Sequence, residues 1–188
     1  MIKDVIQIGD TRLLEKSKSI PVGKIKDKEV QDLIDDMMDT CNEDPASTGG
    51  LAAIQIGVPK RVILVNRIDL HDIESGIFEW EAMINPEIKV LSDKTQTYWE
   101  GCLSVGVGAD RLFGPVSRPA NIEVTYYDRE GKKRTLEATG YFAQAIQHEY
   151  DHLEGMLFLK YIPNPANVWK SKKLDAYLET HDDFPPQV

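Results

Sequence analysis

Gln147-His148-Glu149-Tyr150-Asp151-His152-Leu153 sets two histidines four residues apart, the spacing that stacks side chains on one face of a helix. At about 100° per residue from His148, His152 falls near ~40° and Glu149 near ~100°. Two imidazole nitrogens can then meet one cation, with Glu149 beside them to reach a bound water without being a ligand. Tyr141, Ala145, His148 and His152 form the facing stripe, next to Phe142, Ile146, Glu149 and Leu153. Gly155, just past the last periodic residue, reads as the helix stop. The H-E-x-x-H pattern also arises by chance in ordinary helices, and where it binds a metal it fixes only two ligands.

The third ligand decides the class. A thermolysin-type site needs a glutamate well downstream and a metzincin-type site a histidine six residues on. Here that position is Phe158, and neither Glu154 nor Glu179 stands in a suggestive helix. Upstream, Glu100-Gly101-Cys102-Leu103-Ser104 offers a thiol in a glycine-flanked loop, and Thr48-Gly49-Gly50-Leu51-Ala52-Ala53-Ile54-Gln55 a glycine turn leading to an amide.

With these three stretches the chain resembles the peptide deformylase family, which carries G-x-G-x-A-A-x-Q, E-G-C-L-S and H-E-x-D-H in this order. The last two are complete and the first lacks only its leading glycine, where Thr48 stands. The resemblance runs from the helix near residue 27 to Tyr161. It implies an α+β fold, antiparallel sheets packed around a central helix that carries the metal motif. It implies a hydrolase acting on N-formylmethionyl nascent peptides, with Cys102, His148 and His152 as metal ligands and Glu149 as general base, then acid. The Gln55 side chain and the Leu103 backbone N–H would donate to the oxyanion. Gly50, Glu100, Gly101, Tyr141 and Ala145 are the expected substrate contacts, with a structural hydrogen bond the other reading for Glu100. Two imidazoles and a thiolate suit Fe(II), Zn, Ni or Co; the resemblance favours Fe(II). Asp151 reads as an ion-pair residue with Arg118 as partner. Two other functions stay open: a same-fold hydrolase of another N-acyl peptide, and a silent metal- or peptide-binding protein.

The chain departs from the family at Gly106, commonly proline, and in a longer, glycine-rich segment from Ser104 to Arg118, where Arg111 is a candidate substrate contact. Gln144, Tyr141 and Tyr98 add polarity around the expected methionine pocket.

The chain's 188 residues suit one domain, 1–188, with a frayed tail at 182–188. Composition, 41% hydrophobic and 28% charged, is that of a globular protein, and a net charge of −9 argues against direct nucleic-acid binding. Met1 to Gln7 has no signal-peptide pattern and no apolar run reaches membrane-span length, so a cytoplasmic, reducing compartment is expected, with Cys102 free and no membrane partner. A transient ribosome contact through a C-terminal helix is the family's implication.

From an N-cap at Asp27, Val30, Leu33, Ile34, Met37, Met38 and Cys41 meet the helical template without a gap. Arg61–Asn66 reads as a buried strand, 67–80 as a polar loop, and Ala82–Leu91 as a strand broken at Asn85-Pro86. Gly106–Pro115 reads as loop, and Ile122–Asp128 with Lys133–Thr139 as a hairpin turning at 129–131. Leu157-Phe158-Leu159 reads as a strand, and Ala166–Thr180 as a helix with Val168, Leu174, Tyr177 and Leu178 inward.

Overall fold

The computed structural model describes residues 1–71 and 76–188. The expected loop at 67–80 therefore lies partly outside the described residues. Helix α1 spans Lys28–Cys41. Its predicted inward residues are buried, except Met38, which packs half-buried at the margin. Asp27 holds the N-cap position without a side-chain hydrogen bond.

One antiparallel sheet runs in the order β1 (Gly50–Ala52), β2 (Val62–Asn66), β3 (Trp80–Val90), β6 (Asn121–Tyr127), β7 (Lys133–Thr139). Both faces are covered at β1 and β2, which explains the uninterrupted apolar run of β2, whereas β6 and β7 keep one face toward solvent. Val62 and Leu64 pack with the α1 residues, while Ile63 and Val65 face helix α2 (Gly140–Leu153) with Phe142, Ile146 and Leu153. The second sheet joins β4 (Thr95–Gly101), β5 (Leu112–Pro119) and β8 (Trp169–Lys170). It packs on the other side of α2, which therefore buries side chains around most of its circumference.

The Asn85-Pro86 break is a bulge within β3: the register shifts between Ile84 and Glu87, and Asn85 takes φ 50°. The Asn85 amide exchanges hydrogen bonds with the Ile20 backbone in both directions, which holds that conformation. The 121–139 hairpin keeps full register, and Asp128 Oδ1 accepts from the N–H groups of Glu130 and Lys132 across its turn.

Three local readings change. Leu157-Phe158-Leu159 is not a strand; Phe158–Tyr161 is a 3-10 turn whose Phe158 fills the cluster of Cys102, Val105 and Val116. The loop expected through Pro115 gives way to β5 at Leu112, which pairs with Lys170, and pairing with β4 begins at Phe113. The C-terminal helix is shorter, α3 at Ser171–Leu178; Leu174 alone is buried, and Trp169–Lys170 adds to β5 instead. In the 182–188 tail, Phe184 stacks on Trp99 at 5.2 Å and the Val188 N–H donates to Asn167 Oδ1. Among the described residues no helix is long and apolar enough to cross a membrane.

Candidate active site

Glycines at both ends set the limits of α2. Gly140, at φ 59°, turns the chain out of β7 into the helix. At the other end Gly155, at φ 70°, lets Met156 N–H reach back to Asp151 O, the closure of a Schellman-type stop. A Cβ on Gly155 would lie 2.3 Å from Leu14 O, so only glycine fits.

Between those ends His148 and His152 stand one turn apart, their ring centroids 5.1 Å from each other. Cys102, just after β4, brings its Sγ to 3.3 Å from His152 Nε2. Donor atoms of Cys102, His148 and His152 all lie within 4.8 Å of one another, and all three residues are buried. His148 Nδ1 is 2.8 Å from Glu100 Oε2, which leaves Nε2 for a cation. His152 Nδ1 and Glu149 Oε2 are buried without a hydrogen-bond partner. One sulfur, two imidazoles and an unpaired carboxylate oxygen beside them fit a thiolate-tolerant divalent cation.

The N-terminal arm ties the two upstream motifs together. Ile6 N–H donates to Gln55 O, Ile8 N–H to Ser104 O, and Gln7 Nε2 to Leu103 O. Gln55 is held by its own oxygen, which accepts from Ala52 N–H at 2.8 Å. Its Nε2 is thereby turned to Ser104 Oγ at 3.1 Å and Cys102 Sγ at 3.6 Å. No backbone hydrogen bond outside the strands takes up the Leu103 N–H among the described residues.

A second layer fixes Glu100. Arg118 donates to both its oxygens, Nε to Oε1 at 2.6 Å and Nη2 to Oε2 at 3.0 Å, and reaches Asp151 Oδ2 at 2.7 Å through Nη1. The expected Arg118–Asp151 pair is thus present, and Tyr161 OH donates to the other Asp151 oxygen. Gln144 Nε2 donates to Glu100 Oε1 and to Val116 O. Burial alone would raise the Glu100 carboxyl, but His148 and Arg118 outweigh it and hold it at about 2. Glu149 has no such partners, and burial pushes it up to about 7. Burial also pulls His152 well down, toward the neutral imidazole that a metal takes.

These groups line a cleft of about 440 Å³, with Gly50, Gln55, Glu100, Gly101, Cys102, Leu103, Tyr141, Ala145, His148 and Glu149 all on its walls. His152 alone of the anticipated residues sits behind the wall. Gly50 and Gly101 are there for close approach: a Cβ would come 2.7 Å from Glu149 Cγ at the first and 2.4 Å from the Phe113 ring at the second. Glu100 makes the structural hydrogen bonds of its second reading and also lies on the cleft wall. Ser104, whose N–H lies 3.4 Å from Cys102 Sγ, was visible only as the last residue of its motif, and Trp99 on the cleft wall carried no signal beyond its place beside that motif.

The polypeptide deformylase family model matches residues 2–168. The chain is 42% identical over 173 residues to a peptide deformylase of Pelagibacter ubique, covering 92% of this chain and 93% of that protein. It is 41% identical over 161 residues to one of Agrobacterium fabrum, covering 86% and 87%. A crystal structure of peptide deformylase from Ehrlichia chaffeensis in complex with actinonin superposes with a TM-score of 0.75 at 32% identity, covering 88% of this chain and 91% of that one. A buried Cys-His-His donor set on this fold, and likeness along nearly its whole length, lead to one conclusion: the chain belongs to the peptide deformylase family.

Proposed function

We propose that this protein is a peptide deformylase that hydrolyses the formamide of N-formylmethionyl peptides to formate and a free amine. The observation that carries the reading is the convergence of Cys102, His148 and His152 with Glu149 and Gln55 in one cleft. When bound by those three ligands, a divalent cation supplies a Lewis acid that makes water acidic enough to deprotonate near neutral pH.

Glu149 takes the proton from the attacking water and delivers it to the departing nitrogen as the C–N bond breaks. A carboxyl poised near 7 suits both halves of that task. The water oxygen ends in formate, and the nitrogen leaves as the amine. Gln55 Nε2 and the Leu103 N–H donate to the oxyanion that forms in between; the Ala52 bond already turns Gln55 for this. Glu100, with both oxygens engaged, orients His148 rather than touching substrate. Gly50, Gly101, Tyr141 and Ala145 supply cleft wall for the peptide.

The metal proposed is Fe(II), with Zn, Ni and Co acceptable to the same sulfur–nitrogen donors. The proposed compartment is the cytoplasm, whose reducing conditions keep Cys102 a thiol. The domain proposed spans 1–188; a ribosome contact would use α3, where Lys172 and Lys173 are exposed. Formate release from formyl-Met peptides, on anaerobically purified protein with metal measured in the same sample, tests the activity. Acetyl and larger acyl peptides should not turn over. Gln144 Nε2 is engaged by Glu100 and Val116, while its Oε1 is buried on the cleft wall without a partner, so the acyl panel is what separates the other-acyl reading from this one.

A further inference from the structure

The chain has seven arginines. Arg12, Arg61, Arg67, Arg118, Arg129 and Arg134 each pair with a carboxylate. Arg111 makes no ion pair among the described residues, yet it lines the active-site cleft. Its Nε is buried with no hydrogen-bond partner. In a chain of net charge −9, carboxylates for pairing are abundant. Asp44, the other charged side chain on that rim beyond the reaction centre, does not pair with it, and neighbouring Asp110 pairs with Lys170.

The backbone under Arg111 is fixed. Its N–H donates to Gly108 O, its carbonyl accepts from Ser171 N–H at 2.8 Å, and Leu112 pairs with Lys170 in the β5–β8 ladder. A guanidinium on a fixed base, with an unsatisfied buried N–H, is a preorganised donor fork that matches a carboxylate. The formyl end of a substrate must sit at Cys102, His148 and Glu149, so the downstream part of the peptide is what remains to reach Arg111.

We propose that Arg111 is a carboxylate receptor in the cleft that makes the enzyme prefer formyl peptides carrying a carboxylate downstream of the formylmethionine. The inference rests on the deformylase reading and deepens it by naming a substrate class. The carboxylate can come from an acidic side chain or from the free C-terminus of a short peptide.

Two matched pairs separate the sources: formyl-Met-Ala-Glu-amide against its Gln counterpart, and formyl-Met-Ala-Ala as free acid against its amide. In at least one pair the acid should be favoured about five- to tenfold in kcat/KM, through KM, since a partly exposed charge-assisted bond is worth that much. Added salt should shrink the preference. R111Q should bring the ratio to one or below, given the chain's negative charge, and R111K should retain part of it. A wild-type ratio near one in both pairs, or a preference that survives in R111Q, overturns the assignment. Dissociation constants for the corresponding deformylated peptides, which need no turnover, are read in parallel. Absent formate release would sink the deformylase reading, whereas an acid preference in those constants, lost in R111Q, would still uphold Arg111.

Discussion

Gly50→Ala separates the geometry of Glu149 from its mere presence. Gly50 is not among the positive-φ glycines, so alanine is conformationally acceptable and the effect is steric. The added Cβ would lie 2.7 Å from Glu149 Cγ, 2.7 Å from Leu64 O and 2.8 Å from Glu149 Oε1. Leu64 O belongs to β2, paired with β1 in register, and can retreat only by spreading the sheet. The Glu149 side chain must give way instead. An extra methyl in a packed site costs about 1–3 kcal/mol. At about 2–4 °C per kcal/mol for a chain of this size, the melting temperature should fall by about 2–12 °C. Displacing a reacting group by about 1 Å costs about 100-fold, and the loss should appear in kcat because Glu149 works in the chemical step. The assay is formate release with metal content and melting temperature on the same preparation. A kcat/KM within about threefold of wild type and an unmoved melting temperature would refute the close packing of Gly50 on Glu149.

Glu149→Gln should lower kcat about 100- to 10,000-fold with metal content unaltered, and wild-type turnover in that variant would remove Glu149 from the acid/base role. Glu100→Gln should weaken metal binding about 10- to 100-fold, read by competition with a chelator, because His148 loses its orienting carboxylate. The same variant should change acid stability. The folded Glu100 carboxyl lies at about 2 against an ordinary 4.5, so its stabilisation is complete above 4.5 and fades as pH falls toward 2. The gap between wild-type and variant denaturation midpoints should therefore close below pH 4.5; a gap constant with pH would contradict the pairing. Gly155→Ala should destabilise by more than about 1 kcal/mol in urea, from strain at φ 70° and the clash with Leu14 O.

The elements legible in the sequence are those whose period is long enough to show. Val30 to Cys41 fills three turns, the 121–139 hairpin alternates on both sides of a glycine turn, and α2 stops at Gly155 as expected. Leu157-Phe158-Leu159 failed because three apolar residues carry no period, and Phe158 turns inward to meet Cys102 and Val116, which are distant in sequence. The onset of β5 was hidden by Gly114, whose lack of a side chain makes room for Ile162, a contact between separate segments. In the site, the three metal donors were legible as motifs. The Gln144–Glu100 bond and the stitching by Ile6 and Ile8 were not, since they depend on which side of α2 meets β4 and on where the N-terminal arm lies.

The two glutamates on the cleft wall show why motif order alone under-describes the centre. Glu100 and Glu149 are both buried beside His148, yet one carboxyl is held at about 2 and the other pushed to about 7. The difference comes from partners: Glu100 accepts from Arg118 and Gln144 and faces His148 Nδ1, while Glu149 keeps one oxygen unpaired. A carboxylate that stays ionised through the neutral range can orient an imidazole but cannot pass a proton. One that titrates near neutrality can take a proton and return it. The proposed division of labour therefore requires Arg118 as much as either glutamate. Without that cation Glu100 would lose the guanidinium that donates to both its oxygens, its carboxyl would rise, and two proton-exchanging acids would compete beside one metal helix. Arg118→Met should accordingly loosen metal binding as Glu100→Gln does, and the two changes combined should cost little more than either alone. Full additivity in that double-mutant cycle would show that Arg118 acts on the metal helix through Asp151 rather than through Glu100.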